Sequence, residues 1–270
     1  MKVLVDKTVF LTGGSSGIGL STARLLAAAG ANVVVFARHE RGLEAALVQM
    51  ESRRVSAAQR FACRPLDVAD HAAVTAVMAA AVQSFGPPDL LINNVGRALP
   101  RYFEDVTFEQ FDETMKTNLY GAWNTISVLV PHMKAGGGTI VNVSSMAGFI
   151  GVFGYTDYCA SKFAVVGLSE ALRQELRRYG ITVAVLCPPD TDTPGLANED
   201  AAKPAETKAV SAGARLMQPD DVARALIRGI KRGTFMIVPG GEGKLAYFMK
   251  RHFPAVVDRV MRRGIRQAQK

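Results

Sequence analysis

The sequence predicts an α/β fold, a doubly wound parallel sheet of about seven strands flanked by helices and contained in a single domain. Three observations predict it. Short β-branched runs alternate with longer amphipathic or Ala-rich segments, a glycine-rich turn joins the first run to the first helical segment, and no repeat or linker divides the 270 residues. With 49% hydrophobic residues the chain can bury a substantial core, and α/β folds of this size are often one domain.

Taken in order, Thr8 to Thr12, Asn32 to Ala37, Arg60 to Asp67, Leu90 to Asn93, Thr139 to Ser144, Ile181 to Cys187 and Phe235 to Val238 read as strands. The segments between them are long enough for crossover helices, and apolar runs of this kind belong to a parallel sheet covered on both faces. Ligands in such sheets sit at the carboxyl ends of the strands, a rule that singles out Gly13, Arg38, Asp67, Asn93, Ser144 and Pro188. From Ala135 to Thr156 there is no charged residue, a run long enough to cross a bilayer, but its six glycines with Asn142, Ser144 and Ser145 read as strand and loop instead. The polar, Ala-rich stretch from Leu196 to Gln218 is the candidate for a mobile insertion.

Composition narrows the setting. The three cysteines, Cys63, Cys159 and Cys187, are scattered and lack metal-ligand spacing, which argues against a disulfide framework or a zinc site and fits a reducing cytoplasm. The amino end carries no apolar signal core followed by a small-residue cleavage site. The net charge of +8 is concentrated in Lys244 to Lys270, where eight Lys or Arg face one aspartate, Asp258. No nucleic-acid module accompanies that charge, so nucleic acid is not an expected partner.

The chemistry begins at Thr12-Gly13-Gly14-Ser15-Ser16-Gly17-Ile18-Gly19, directly after the first strand. Glycines allow a tight turn and close backbone approach, and the following helix offers free N–H groups to a pyrophosphate, as in Rossmann-type folds. The spacing is Gly-x-x-x-Gly-x-Gly, not the commoner Gly-x-Gly-x-x-Gly. After the second strand an acidic residue would accept from a ribose 2′-hydroxyl, whereas an arginine pairs with a 2′-phosphate. Arg38 stands there, favouring NADPH, with a solvated charge as the alternative. Asp67 is an acceptor for the adenine amino group or else a helix cap. Tyr158 and Lys162 lie four apart in a helical pattern and so share a face; an adjacent ammonium makes a phenol a better acid, suited to protonating a carbonyl oxygen as hydride arrives at its carbon. Ser145 lies thirteen residues upstream of Tyr158.

In this order, TGGSSGIG, Leu66-Asp67-Val68, Asn93-Asn94-Val95-Gly96, Asn118, Ser145 and Tyr158-x-x-x-Lys162 resemble the short-chain dehydrogenase/reductase family over about residues 7 to 195. The resemblance implies that Gly13, Ser15, Ser16, Gly17, Ile18, Gly19, Arg38, Asp67, Val68, Asn94, Gly96, Pro188 and Thr193 bind the nucleotide together with Tyr158 and Lys162. It further implies that Ser145 hydrogen-bonds the substrate oxygen, Tyr158 is the general acid, Lys162 holds the nicotinamide ribose, and Asn118 supports a water chain for reprotonation. Val95 replaces the family's usual alanine, Pro189 replaces a glycine after the sixth strand, and Ser144 adjoins Ser145, so facing decides between those two serines. Residues 1–240 then form the dinucleotide-binding and catalytic part, and 241–270 a basic amphipathic helical extension of the same domain.

Phe149, Ile150, Val152, Phe153 and Tyr155, with Leu99, Tyr102 and Phe103, suggest a greasy substrate channel. In the tail, Leu245, Phe248, Met249, Phe253, Val256, Val257, Val260 and Met261 recur at helical spacing opposite basic residues, with Pro254 expected to kink the helix or start a second one. Such a face either lies on anionic lipid or docks on the protein or a second subunit. Within the family, SSMAGFIGVFGYTDYCASKFAVVGLSEALRQEL, CPPDTDTPG and KPAETKAVS are most similar to the 3-ketodihydrosphingosine reductase branch, which implies NADPH-dependent reduction of a long-chain lipid ketone. Reduction of a 3-oxoacyl, steroid or secondary-alcohol substrate is the near alternative, and an NADPH-binding sensor without turnover the distant one. The family also implies a homodimer or tetramer joined through the helices bearing Asn118 and Tyr158.

Overall fold

The computed structural model describes residues 4–200, 202–211 and 215–269. Among them are seven strands: β1 (Thr8–Thr12), β2 (Asn32–Ala37), β3 (Phe61–Pro65), β4 (Leu90–Asn93), β5 (Gly138–Val143), β6 (Ile181–Leu186) and β7 (Met236–Ile237). Every pairing is parallel and the spatial order is β3-β2-β1-β4-β5-β6-β7. All seven expected strands form, some one or two residues shorter at their ends. Strand β3 is trimmed most, ending at Pro65, although Leu66 N still donates to the Ala37 carbonyl of β2 at 2.9 Å.

Alternation within each strand feeds two cores. Val9, Leu11, Val33, Val35 and Ile92 face α1 (Gly17–Ala28), α2 (Glu40–Glu51) and α9 (Pro219–Lys231). Phe10, Val34, Phe36 and Leu91 face α3 (His71–Phe85), α5 (Gly121–Met133) and α6 (Thr156–Glu175). A buried polar ladder crosses the second layer: Asn93 Nδ2 donates to Asn142 Oδ1 at 2.9 Å, Thr125 Oγ1 to Asn93 Oδ1 at 2.6 Å, and Asn142 Nδ2 to Ser169 Oγ at 2.9 Å. Each of these groups is satisfied, so the ladder fixes α5 and α6 against the strands instead of weakening the core.

Strand order reverses between β1 and β4, which opens a crevice beyond their carboxyl ends. Helix α4 (Phe108–Met115) leads through a π-helical turn at Lys116–Tyr120 into α5. The stretch expected to be a mobile insertion is helical where described, as α7 (Pro194–Asp200) and α8 (Ala205–Ser211); its residues 201 and 212–214 lie outside the described residues. Helix α8 is tied down by Tyr102 donating to Glu206 Oε2 at 3.0 Å and Thr207 donating to the Phe153 carbonyl at 2.9 Å. Pro254 starts a second helix: α10 (Gly241–His252) ends before it and α11 (Pro254–Ala268) follows, packing on α8.

Candidate active site

One cavity of ≈ 920 Å³ runs from the β1–β4 crevice to the tail helices. Gly13, Ser15, Ser16, Gly17, Ile18, Arg38, Asp67, Val68, Asn94, Gly96, Ser145, Tyr158, Lys162, Pro188 and Thr193 all line it. Gly19 and Asn118 do not, and each instead braces the wall from behind.

The glycine turn is shaped by its neighbours. Gly13 has φ 68° and Gly17 φ 51°, values that L side chains rarely adopt. A Cβ on Gly19 would overlap the Gly13 carbonyl oxygen and stand 2.6 Å from Asn94 Nδ2. Asn94 spans the strand reversal, its Nδ2 donating to Gly13 O at 2.9 Å and its backbone N–H to Thr12 Oγ1 at 3.1 Å. Ser16, at the start of α1, makes no side-chain cap, and the first turn holds no acidic residue. Uncapped N–H groups and a positive helix end therefore meet the cavity, a fit to a dinucleotide pyrophosphate. Thr193 Cγ2 would touch a Cβ on Gly17 at 2.9 Å, and Thr193 Oγ1 accepts from Leu196 N at 3.2 Å as α7 begins.

Arg38 is exposed at the end of β2 and makes no ion pair among the described residues. Asp67 accepts from Ala69 N at 3.0 Å in a local turn, and the residue that caps α3 is Asp70, accepting from Ala73 N at 3.0 Å. The capping alternative for Asp67 is thus filled by its neighbour.

The two serines diverge, although both border the cavity. Ser144 is buried and its hydroxyl is spent on the Lys162 carbonyl at 2.9 Å, whereas Ser145 is half-buried beside Tyr158, its Oγ accepting from Ala147 N at 3.1 Å. Lys162 Nζ lies 5.6 Å from the Tyr158 ring centroid and donates to the Val143 carbonyl at 2.9 Å. Burial pushes the Tyr158 phenol above its ordinary value, with the Ser145 hydroxyl opposing it, and lowers the Lys162 amine to about 8. Burial thus shifts the phenol in the direction opposite to the acidification expected from the adjacent ammonium, and Tyr158 is protonated at neutral pH as an ordinary phenol is. Asn118, buried in the π turn, accepts from Arg97 N at 2.8 Å and donates to Arg97 O at 3.0 Å and to Ser161 Oγ at 2.9 Å. Such single π turns recur at functional sites.

Several groups escaped sequence reasoning. Asp157 is buried and accepts from Thr114 Oγ1 at 2.8 Å, Gln110 Nε2 at 3.1 Å and Tyr158 N at 2.8 Å, clamping α4 to the turn that presents Tyr158. Its position beside Tyr158 in the first helical turn was the only signal. Of the expected greasy set, Ile150, Val152 and Tyr155 line the cavity, while Phe149 packs edge-on against Tyr247 at 5.1 Å and Phe153 against Tyr102 at 5.9 Å. The remaining apolar wall comes from Leu196, Val210 and the tail residues Leu245, Met249, Val256 and Val260.

The chain matches the family model described as short chain dehydrogenase over residues 7–204. It is 40% identical over 237 residues to the 3-dehydrosphinganine reductase of Danio rerio, covering 87% of this chain and 71% of the relative. The 3-ketodihydrosphingosine reductase of Bos taurus is 38% identical over the same shares of the two chains. Among solved structures, levodione reductase superposes with a TM-score of 0.79 at 27% identity, covering 89% of this chain and 98% of the other.

Proposed function

The chain belongs to the short-chain dehydrogenase family, and from that premise we propose that it reduces the 3-ketone of 3-ketodihydrosphingosine to dihydrosphingosine with NADPH. The observation that carries this reading is the meeting of Ser145, Tyr158 and Lys162 in a cavity of ≈ 920 Å³ that is lined toward the tail helices by Leu245, Met249, Val256 and Val260, apolar groups suited to an alkyl chain. Names of the relatives at about 40% identity support the same ketone.

When bound, the dihydronicotinamide supplies the hydride that reduces the carbonyl carbon. Tyr158, kept protonated by its surroundings, donates its phenolic proton to the carbonyl oxygen as negative charge develops there. Ser145 donates a hydrogen bond to the same oxygen, which localises that charge beside the phenol. Lys162 holds the ribose and steadies the phenolate left behind, and Asn118 shapes the π turn that supports the return of a proton. Arg38 pairs with the 2′-phosphate and so selects NADPH over NADH.

Two associations complete the proposal. The basic tail attaches peripherally to an anionic membrane surface, supported by the exposed Phe248, Phe253 and Val260 among Lys250, Arg251, Arg259 and Arg263. Exposed Tyr120, Trp123 and Phe163, on the π turn and on helices α5 and α6, support a homo-oligomer joined there. No helix among the described residues is long and apolar enough to cross a membrane.

The deciding experiment offers 3-ketosphinganine and an acetoacetyl thioester with either cofactor. We expect NADPH-dependent loss of the sphingoid ketone to be fastest; no turnover of it by pure, NADPH-binding protein overturns the reading. Tyr158→Phe should lower kcat by about 10²- to 10⁴-fold while NADPH affinity changes little.

A further inference from the structure

The inner part of the cavity holds two carboxylates that hydride transfer does not use. Tyr155 donates to Glu199 Oε2 at 2.7 Å, and Tyr155, Glu199 and Asp190 all line the cavity with Ser145 and Tyr158. The Tyr155 and Tyr158 rings lie 5.6 Å apart, so Glu199 is one aromatic ring away from the acid that serves the ketone. The buried amine of Lys203 acts on both carboxylates, but its ion pair is with the exposed Asp200, at 2.6 Å. Neither Glu199 nor Asp190 has an ion-pair partner among the described residues. Burial pushes both carboxyl groups above their ordinary values, opposed at Asp190 by Lys203 and at Glu199 by the Tyr155 hydrogen bond and then by Lys203. A carboxylate without a direct ion pair, in a cavity lined also by Ile150, Val152 and Leu196, gains from a further cation that can contact it.

We propose that Glu199, aimed by Tyr155 and supported by Asp190, receives the ammonium group of an α-amino ketone substrate. The inference rests on the reading above and deepens it. In 3-ketosphinganine the ammonium sits on the carbon next to the carbonyl, so its acceptor must stand close to Ser145 and Tyr158 without touching the reacting oxygen. Glu199 meets that requirement, being held by the tyrosine that immediately precedes α6. A 3-oxoacyl thioester has no cation to offer, and its binding would leave the carboxylate desolvated and unpaired. Discrimination by an unsatisfied buried group is stronger than discrimination by shape alone.

The test compares 3-ketosphinganine with its N-acetyl derivative, which lacks the charge, and its N,N-dimethyl derivative, which keeps the charge and adds bulk. For the wild type, kcat/KM should favour both cationic substrates over the N-acetyl one by about 10- to 100-fold, the range of a charged hydrogen bond. Glu199→Gln should erase most of that ratio, chiefly through KM. Tyr155→Phe, which keeps the carboxylate and removes its anchor, should lower it less. Equilibrium binding of sphinganine against N-acetylsphinganine to the NADP⁺-loaded protein should shift in parallel without turnover. If Glu199→Gln does not fold, Asp190→Asn and Tyr155→Phe carry the same ratio test. An unchanged ratio in folded variants overturns the inference and leaves the ketone reading intact. Reduction of the acetoacetyl thioester but not of 3-ketosphinganine by the wild type overturns both.

Discussion

The wall of the cavity beside β1, β2 and β4 is contiguous backbone, Gly13 to Gly19 closed by Asn94, and it has almost no room for added atoms. The wall beside β6 and β7 is assembled from side chains remote in sequence: Ile150 after β5, Leu196 on α7, Val210 on α8, and Leu245 and Val260 on the tail helices. Backbone walls recognise what every substrate of the chemistry shares, here a nucleotide, and they fail abruptly when altered. Side-chain walls recognise what differs between substrates, and they should yield by degrees.

The sharpest break of that contrast is Gly19→Ala. The new methyl would overlap the Gly13 carbonyl and press on Asn94 Nδ2, so the turn must open. Overpacking of this kind costs about 3 kcal/mol or more at rigid sites, and NADPH affinity should fall about 100-fold. Fluorescence titration alongside a melting curve checks it; retained affinity would mean the turn adapts like the far wall. Arg38→Ala comes next, with an expected loss of roughly 10- to 100-fold for NADPH and a much smaller change for NADH. Equal losses for both cofactors would assign Arg38 a role other than the 2′-phosphate.

A pH profile probes where the two walls meet. Burial lowers the Lys162 amine to about 8, so the folded protein releases that proton at lower pH than the unfolded chain does. Below about 8 the buried cation is present and burdens folding; between about 8 and the ordinary lysine value the unfolded chain binds more protons, and this burden is relieved as pH rises. Activity should have the opposite sign if, as proposed, the Lys162 cation holds the nicotinamide ribose. kcat/KM for NADPH should fall about fivefold from pH 8 to 9, and a flat profile there would mean that the charge is not required.

The sequence revealed the backbone wall far more fully than the side-chain wall, for a physical reason. TGGSSGIG, Asn94 and the Tyr158–Lys162 pair act through short-range geometry that spacing along one turn or helix encodes. Glu199 meets Tyr155 across 44 residues, and Val260 lines the cavity from α11, which packs on α8. Composition marks such residues as polar or apolar, but their partners depend on where whole helices dock. Phe149 and Phe153 illustrate the same limit: their aromatic character was plain, but they pack on Tyr247 and Tyr102 and do not line the cavity. Asp157 was hidden for another reason, since a buried carboxylate needs its three donors before it can be told from a solvated one.

The smallest expected effect belongs to the mouth. Leu245 and Val260 are each 61% exposed yet line the cavity, so an alkyl chain passing between them would cover apolar surface still open to water. Removing roughly 40 Å² of such contact with Leu245→Ala or Val260→Ala should cost about 1 kcal/mol at about 25 cal/mol per Å². KM for the long-chain ketone would then rise about fivefold for each substitution. A short-chain amino ketone, too short to reach the mouth while its carbonyl meets Tyr158, should show no such rise. Steady-state kinetics over a series of chain lengths reads this directly, because the mutant penalty must appear only once the chain is long enough to pass α10. A penalty equal at every length would place the defect in the docking of the tail, and the side-chain wall would then be as intolerant as the glycine turn.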